Sequence, residues 1–219
     1  MNLNRTLNAL ASAALLTLAG AGAANAAITV SIYHTDPGAA AAAANATLGQ
    51  AGSLVADGTT TVSAINFTDA PGNDSTNFTV GAFLNNPAGL SPTVAGLTLN
   101  NTYFYFSGST YLQAGANSFV VPHDDGLQLN ISGIGLVVDQ PGPTAPVNTP
   151  FTVNAPTAGF YNFQLSYGET AGGPAVLAFL VNGGPAGVPE PASWAMMTLG
   201  VAGVGGMMRR RSSKATVAA

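Results

Sequence analysis

Of 219 residues only 6% are charged; the formal net charge is −4 and there is no cysteine. The five basic residues (Arg5, Arg209, Arg210, Arg211 and Lys214) sit near the two ends, so residues 27–188 hold no lysine or arginine; they keep eight acids, Asp36, Asp57, Asp69, Asp74, Asp124, Asp125, Asp139 and Glu169. Nucleic acid and anionic membrane surfaces are held largely through cationic side chains, so neither suits this middle region, whereas a divalent cation does. Without cysteine there are no thiol nucleophiles, thiolate metal sites or disulfides.

Residues 1–26 contain Arg5, the apolar run "ALASAALLTLAGAGAA" and the small-residue site "ANA" at 24–26. A charged start, an apolar stretch and an A-x-A site make a secretory signal peptide. The following region, residues 27–186, is long enough to bury one core and is expected to be a single domain. Its first candidate element after a strand at 28–34 is "DPGAAAAAANATLGQ" (36–50). There Asp36 can cap a helix, Pro37 suits its first turn and alanine has high propensity; an unstructured Ala-rich linker is the competing reading. Strands are predicted at 60–68, 78–84, 102–108, 117–121, 127–132, 135–139, 151–154, 161–167 and 175–182, from short runs rich in Val, Ile, Phe, Tyr and Thr between Gly, Pro, Asn and Asp clusters. The fold class expected is mainly β: a single antiparallel β-sandwich with at most one short Ala-rich helix near its N-terminus.

Catalytic signatures are missing. There is no Gly-x-Ser-x-Gly elbow and no His-Glu-x-x-His helix. The histidines, His34 and His123, read as ordinary surface or half-buried residues. Adjacent Asp124 and Asp125 are poorly placed to flank a scissile glycosidic bond, which leaves a distal pair such as Asp125 with Glu169 as the sole glycosidase candidate. The chain is read as a non-enzyme. In "TYFYFSGSTY" (102–111) an aromatic platform for sugar is conceivable, but strand alternation turns half of those rings inward, and Phe104 and Phe106 are expected in the core.

The most informative stretch is "NSFVVPHDDGLQLNISGIGLVVDQ" (117–140): a strand, an acidic "HDDG" turn, an alternating strand, a glycine turn and "LVVD". Further on, "APTAGFYNFQLSYGETAGGPAVLAFLVNG" (155–183) reads as strand, acidic Gly-rich loop, strand. This order resembles the carbohydrate-associated β-sandwich (GLEYA-like) shared by yeast flocculins and the N-terminal domain of anthrax protective antigen. Asp124, Asp125, Gly126, Val137, Val138, Asp139, Gly159, Tyr161, Tyr167 and Glu169 fall on its motif positions. The resemblance spans about residues 101–183. It implies a secreted, noncatalytic module that binds glycans with calcium, in which a cis Asp-Asp peptide turns both carboxylates toward one ion. Carried over here, Asp124, Asp125 and Glu169 are the metal ligands, with the carbonyls of Ala171 and Gly173 as further donors. Calcium takes six to eight oxygen ligands, which carboxylates and carbonyls meet. Glu169 stands where flocculins place an asparagine. The alternative is a structural matrix or surface protein with no small ligand, whose two aspartates only hydrogen-bond the turn backbone.

The chain ends on "VPEPASWAMMTLGVAGVGGMMRRR" (188–211). Residues 192–208 are uncharged, slightly shorter than the roughly 20 residues that span a bilayer core comfortably, and followed by three arginines that act as a stop signal. Pro189, Glu190 and Pro191, the apolar segment and Arg209, Arg210 and Arg211 together resemble a PEP-CTERM sorting signal, covering residues 187–219. The resemblance implies a Gram-negative exporter of exopolysaccharide, transient membrane anchoring, and cleavage near the proline motif by an exosortase-type membrane protease. The mature product is then at the cell surface or in the extracellular matrix. A permanent C-terminal membrane anchor is the competing reading.

Overall fold

A computed structural model describes residues 27–68, 78–170 and 174–186, all inside one compact unit, Asn25–Val188. The signal peptide, the sorting signal and the predicted donors Ala171 and Gly173 lie outside the described residues. In chain order the elements are β1 (Ile28–Tyr33), α1 (Ala39–Ala43), a 3-10 turn (Leu48–Gly52), β2 (Gly58–Val62), β3 (Asn66–Thr68), α2 (Val80–Phe83) and α3 (Pro92–Ala95). There follow β4 (Thr102–Leu112), β5 (Gly115–Asp124), β6 (Leu127–Ile131), β7 (Gly135–Gln140), β8 (Val147–Ala155) and β9 (Gly159–Glu169). The short strands β10 (Val176–Ala178), β11 (Leu180–Val181) and β12 (Gly184–Pro185) close the series.

Two antiparallel sheets pack face to face. The first runs β2-β1-β4-β9-β6-β7. In the second, β5 is central: β8 lies on one side, and β10 and β11 follow one another on the other, flanked by β3 and β12. The expected antiparallel sandwich is what the chain forms. Alternation builds its core: Phe104 and Phe106 of β4 and Phe163, Leu165 and Tyr167 of β9 point inward to meet Phe119, Val121 and Leu177 of the opposite sheet, all of them buried. Each such large side chain contributes about 1.5–3 kcal/mol when fully removed from water. Pro150 sits in β8, an edge strand, where the missing N–H costs no ladder bond.

Three predicted strands are corrected. Residues 60–68 are two strands in different sheets, β2 beside β1 and β3 beside β10. The inward residues Val62, Ile65 and Phe67 explain the break, because a step of three between Val62 and Ile65 violates the period of two. The run 175–182 likewise divides at Phe179, whose N–H donates to the Ile65 carbonyl at 3.0 Å on the β3 side, whereas Leu180 and Val181 pair with β5. Residues 78–84 form the one-turn helix α2 rather than a strand. Thr79 caps it by accepting from Ala82 N at 3.2 Å, and Val80, Phe83 and Leu84 are buried at i, i+3, i+4 spacing. α3 was not anticipated either; Ser91 caps it, and Pro92 occupies the first turn.

The alanine run is a built part of the fold and not a linker. Ala39, Ala42, Ala43 and Ala46 are all fully buried, at i, i+3, i+4, i+7, against Tyr33 and Tyr103 on the outer face of the first sheet. Methyl side chains let the backbones meet: Ser166 Oγ donates to the Ala46 carbonyl at 2.6 Å and the Tyr103 hydroxyl to Thr47 O at 2.9 Å. Asp36 acts just outside α1, whose N-cap is Gly38. Its carboxylate accepts from Gly38 N at 2.8 Å and Val55 N at 3.0 Å, pinning both ends of the segment. Asp57 accepts from His34 N at 2.6 Å, Thr35 N at 3.1 Å and the Thr35 hydroxyl.

The bonds from Val55 and Gly38 hold the Asp36 carboxyl below its ordinary range; at Asp57 burial pushes upward, but the bonds from Thr35 and His34 outweigh it. A depressed native pKa gives stability that is present above the unfolded value and lost as pH falls through the native one. The amides of Gly38, Val55, His34 and Thr35 are therefore expected to lose hydrogen-exchange protection below about pH 4, before that of Phe104 in the core. Equal loss at all five positions would show that these carboxylates do not hold the segment.

Candidate functional site

At one end of the sandwich, β5 runs out at Asp124, the chain turns through Asp125 and Gly126, and β6 begins at Leu127. The Asp124–Asp125 peptide is cis. β9 ends beside this turn at Glu169, with Gly168 N donating to the Gly126 carbonyl at 3.0 Å. The three predicted ligand residues are thus at one end of the sandwich, and all are buried: Asp124 is 9%, Asp125 5% and Glu169 2% exposed. The turn needs glycine for space. A Cβ on Gly126 would stand 2.2 Å from the Pro141 carbonyl oxygen, and one on Gly168 2.0 Å from that of Ala43.

Tyr167 links the end of β9 to the acidic turn. Its hydroxyl reaches two acceptors, the Asp124 carbonyl and, at 3.0 Å, Glu169 Oε2. Burial pushes its phenol well above the ordinary range, and the negative charges of Glu169, Asp125 and Asp124 push the same way. Phe83 stacks on the Tyr167 ring, centroids 5.7 Å apart and planes 11° from parallel. The helix α2, misread as a strand, is therefore the floor on which the site's central ring rests.

Asp125 ties three loops together. Its Oδ1 accepts from Thr144 N at 3.1 Å; its Oδ2 accepts from Thr170 N at 2.9 Å and from the Thr170 hydroxyl at 2.5 Å. A carboxylate offers about four lone-pair directions, so roughly one remains for another donor or an ion. His123 is fully buried, which corrects its expected surface or half-buried position. Its Nδ1 lies 2.6 Å from the Asp125 carbonyl, an acceptor only, so Nδ1 carries the proton. Its Nε2 lies 3.0 Å from Gln140 Oε1 and 3.1 Å from the Thr149 hydroxyl, which itself donates to Gln140 Oε1 at 3.1 Å. His34, half-buried as expected, pairs instead with Thr102 Oγ1 at 3.0 Å.

Among the described residues no group of three or more His, Asp or Glu side chains is arranged to hold a metal ion. Asp139, a motif position, is exposed and accepts from Gln128 Nε2 at 2.7 Å, a strand-pairing role away from the turn. Thr144, Thr170, Thr149 and Gln140 were missed by sequence reasoning, because each reaches the turn from a different loop or strand. The anticipated aromatic platform at 102–111 divides: Phe104 and Phe106 are in the core, Tyr103 lies under the alanine segment, and Tyr111 is left exposed.

Residues 187–211 match the PEP-CTERM protein-sorting motif, which implies an exported, surface-sorted protein processed by an exosortase. No curated protein matches the chain. Among solved structures, the PA14 sugar-binding domain of an RTX adhesin is 18% identical, with TM-score 0.52, covering 74% of this chain and 93% of that one. The PA14 domain of the antifreeze protein MpAFP is 20% identical, with TM-score 0.51, covering 71% and 81%. The A domain of epithelial adhesin 6 from Candida glabrata, solved with Galb1-3GlcNAc, is a fainter likeness at 12% identity and TM-score 0.41, covering 74% and 81%. The chain carries a PEP-CTERM sorting motif behind a β-sandwich with the fold of the PA14 domains.

Proposed function

We propose that the exported domain is a noncatalytic glycan-binding module of the cell surface or exopolysaccharide, with calcium held at the Asp124–Asp125 turn. One observation carries the reading: the Asp124 carbonyl and the Glu169 carboxylate share the Tyr167 hydroxyl, with Asp125 next in the turn, and all three acids are buried in a region whose sequence contains no lysine or arginine. Buried carboxylates of this kind commonly coordinate metals. Their oxygen-only chemistry suits calcium, which, when bound, supplies positive charge that can take sugar hydroxyls as ligands. Asp124, Asp125 and Glu169 are the ligands in this reading, with Asp125 also fastening the loops of Thr144 and Thr170. Further oxygens come from backbone carbonyls. The glycan half of the reading draws on the RTX-adhesin domain of the same fold, which is a sugar-binding domain.

A second reading is favoured by the bonds to Asp125, whose carboxylate serves the turn backbone as a purely structural residue would. In that case the protein is a structural matrix component with no small ligand. Calorimetry on the exported protein separates the two. Wild type is expected to bind one calcium ion and Asp124→Asn to lose it, with glycan-array binding abolished by EDTA. A folded wild type that takes up no calcium would leave the structural reading standing.

A further inference from the structure

We propose a second glycan-contact surface at the opposite end of the sandwich, on the outer face of the first sheet, fitted to a polysaccharide chain. Tyr111 and Phe160 are directly opposite one another on β4 and β9. The same two strands bring Thr102 opposite Glu169 at the acidic end, so the aromatic pair lies about 30 Å from it at the usual rise per residue. Tyr111 is 48% and Phe160 61% exposed, and their rings meet edge to face with centroids 5.5 Å apart. Single exposed apolar side chains are unremarkable, but two large rings in contact form a patch that asks for a partner.

The surroundings specify the partner's chemistry. Stepping by two along the same face, the next outward pairs are Ser109 with Asn162 and Ser107 with Gln164, and these four line a shallow hollow of about 420 Å³. Each side chain is uncharged and offers hydroxyl or amide groups. A pyranose ring needs this combination: its C–H face stacks on an aromatic ring, and its rim of hydroxyls is met by side chains that both donate and accept. No charged side chain lies in the hollow or the pair; Ala27 also lines the hollow, so cleavage after Ala26 adds one α-ammonium donor for sugar hydroxyls at its edge. The alanine segment covers the other half of this sheet face at Tyr103 and Ser166, and leaves this half open. None of these residues belongs to the acidic turn, so the inference does not rest on calcium.

Affinity electrophoresis of the exported protein in EDTA, through gels containing hydroxyethyl cellulose, galactomannan or alginate, tests it. At least one polymer is expected to retard wild type and Asp124→Asn equally, and Tyr111→Ala/Phe160→Ala to bind it about tenfold more weakly. Tyr111→Phe, which keeps the ring, is expected to behave as wild type. Retardation by none of these polymers in EDTA, or unchanged retardation of the double variant, would overturn the proposal. So would concentration-dependent self-association that the double variant removes, which would assign the rings to a second copy of the chain. Loss of array binding with EDTA while the gels still retard the protein would leave both surfaces in place.

Discussion

Asp125→Ala is expected to lower the melting temperature of the protein by roughly 10 °C, even where no calcium is present. The carboxylate takes N–H bonds from Thr144 and Thr170 and the Thr170 hydroxyl while only 5% exposed. Hydrogen bonds to a charged group are worth about 1.5–3 kcal/mol each, and removing the acceptor leaves buried donors behind. Because the three share one carboxylate they do not add fully, so a total of about 3–4 kcal/mol is expected. Thr170→Val, which keeps the shape and removes only the hydroxyl, should cost about 1–2 kcal/mol. Calorimetric melting in EDTA makes the comparison. If Asp125→Ala melts with wild type, the turn is not fastened by this carboxylate.

Gly168→Ala should be at least as disruptive, for a steric reason. The added methyl would fall 2.0 Å from the Ala43 carbonyl oxygen and 2.7 Å from its carbon and Cα. These are backbone atoms, so no side chain can swing aside. Overpacking commonly costs about 1–3 kcal/mol, and a backbone obstacle places this case at or above the top of that range. The alanine segment must lift from β9, which uncovers Tyr33 and Tyr103 and breaks the bond from Ser166 to Ala46. Because Gly168 N also donates to Gly126 O beside the two aspartates, the acidic turn should loosen with it. Limited proteolysis is the direct readout: cleavage within residues 39–55 is expected in Gly168→Ala and not in wild type. A variant as resistant as wild type would mean that the close contact relaxes without detaching the segment.

Much of this architecture is visible in local pattern. The alternation of β4 and β9 places Phe104, Phe106 and Phe163 inside, and the Asp-Asp-Gly turn between two strand-like runs marks the acidic end. The resemblance that rested on those residues anticipated the sandwich and the cis peptide between Asp124 and Asp125. Even the error at 78–84 was correctable, since Val80, Phe83 and Leu84 have helical spacing and Thr79 is a capping residue.

Other features have no local signature. Nothing near Thr170 or Thr144 in the chain announces that both would be fastened to Asp125, 45 and 19 residues away. His123 looks like a turn residue until β7 and β8 bring Gln140 and Thr149 to its ring. The alanine run reads as helix or linker by composition, and becomes a packed cover only because Gly168 lets its backbone approach β9. Tyr111 and Tyr103 share one motif and one face of β4, yet one is exposed and the other buried, because the alanine segment reaches only the near half of the sheet. Periodicity and turn chemistry act between residues a few positions apart, so they are written along the chain. Which strand lies beside which, what covers each face and where two backbones touch depend on contacts between distant segments, and these exist only once the sheets have closed on one another.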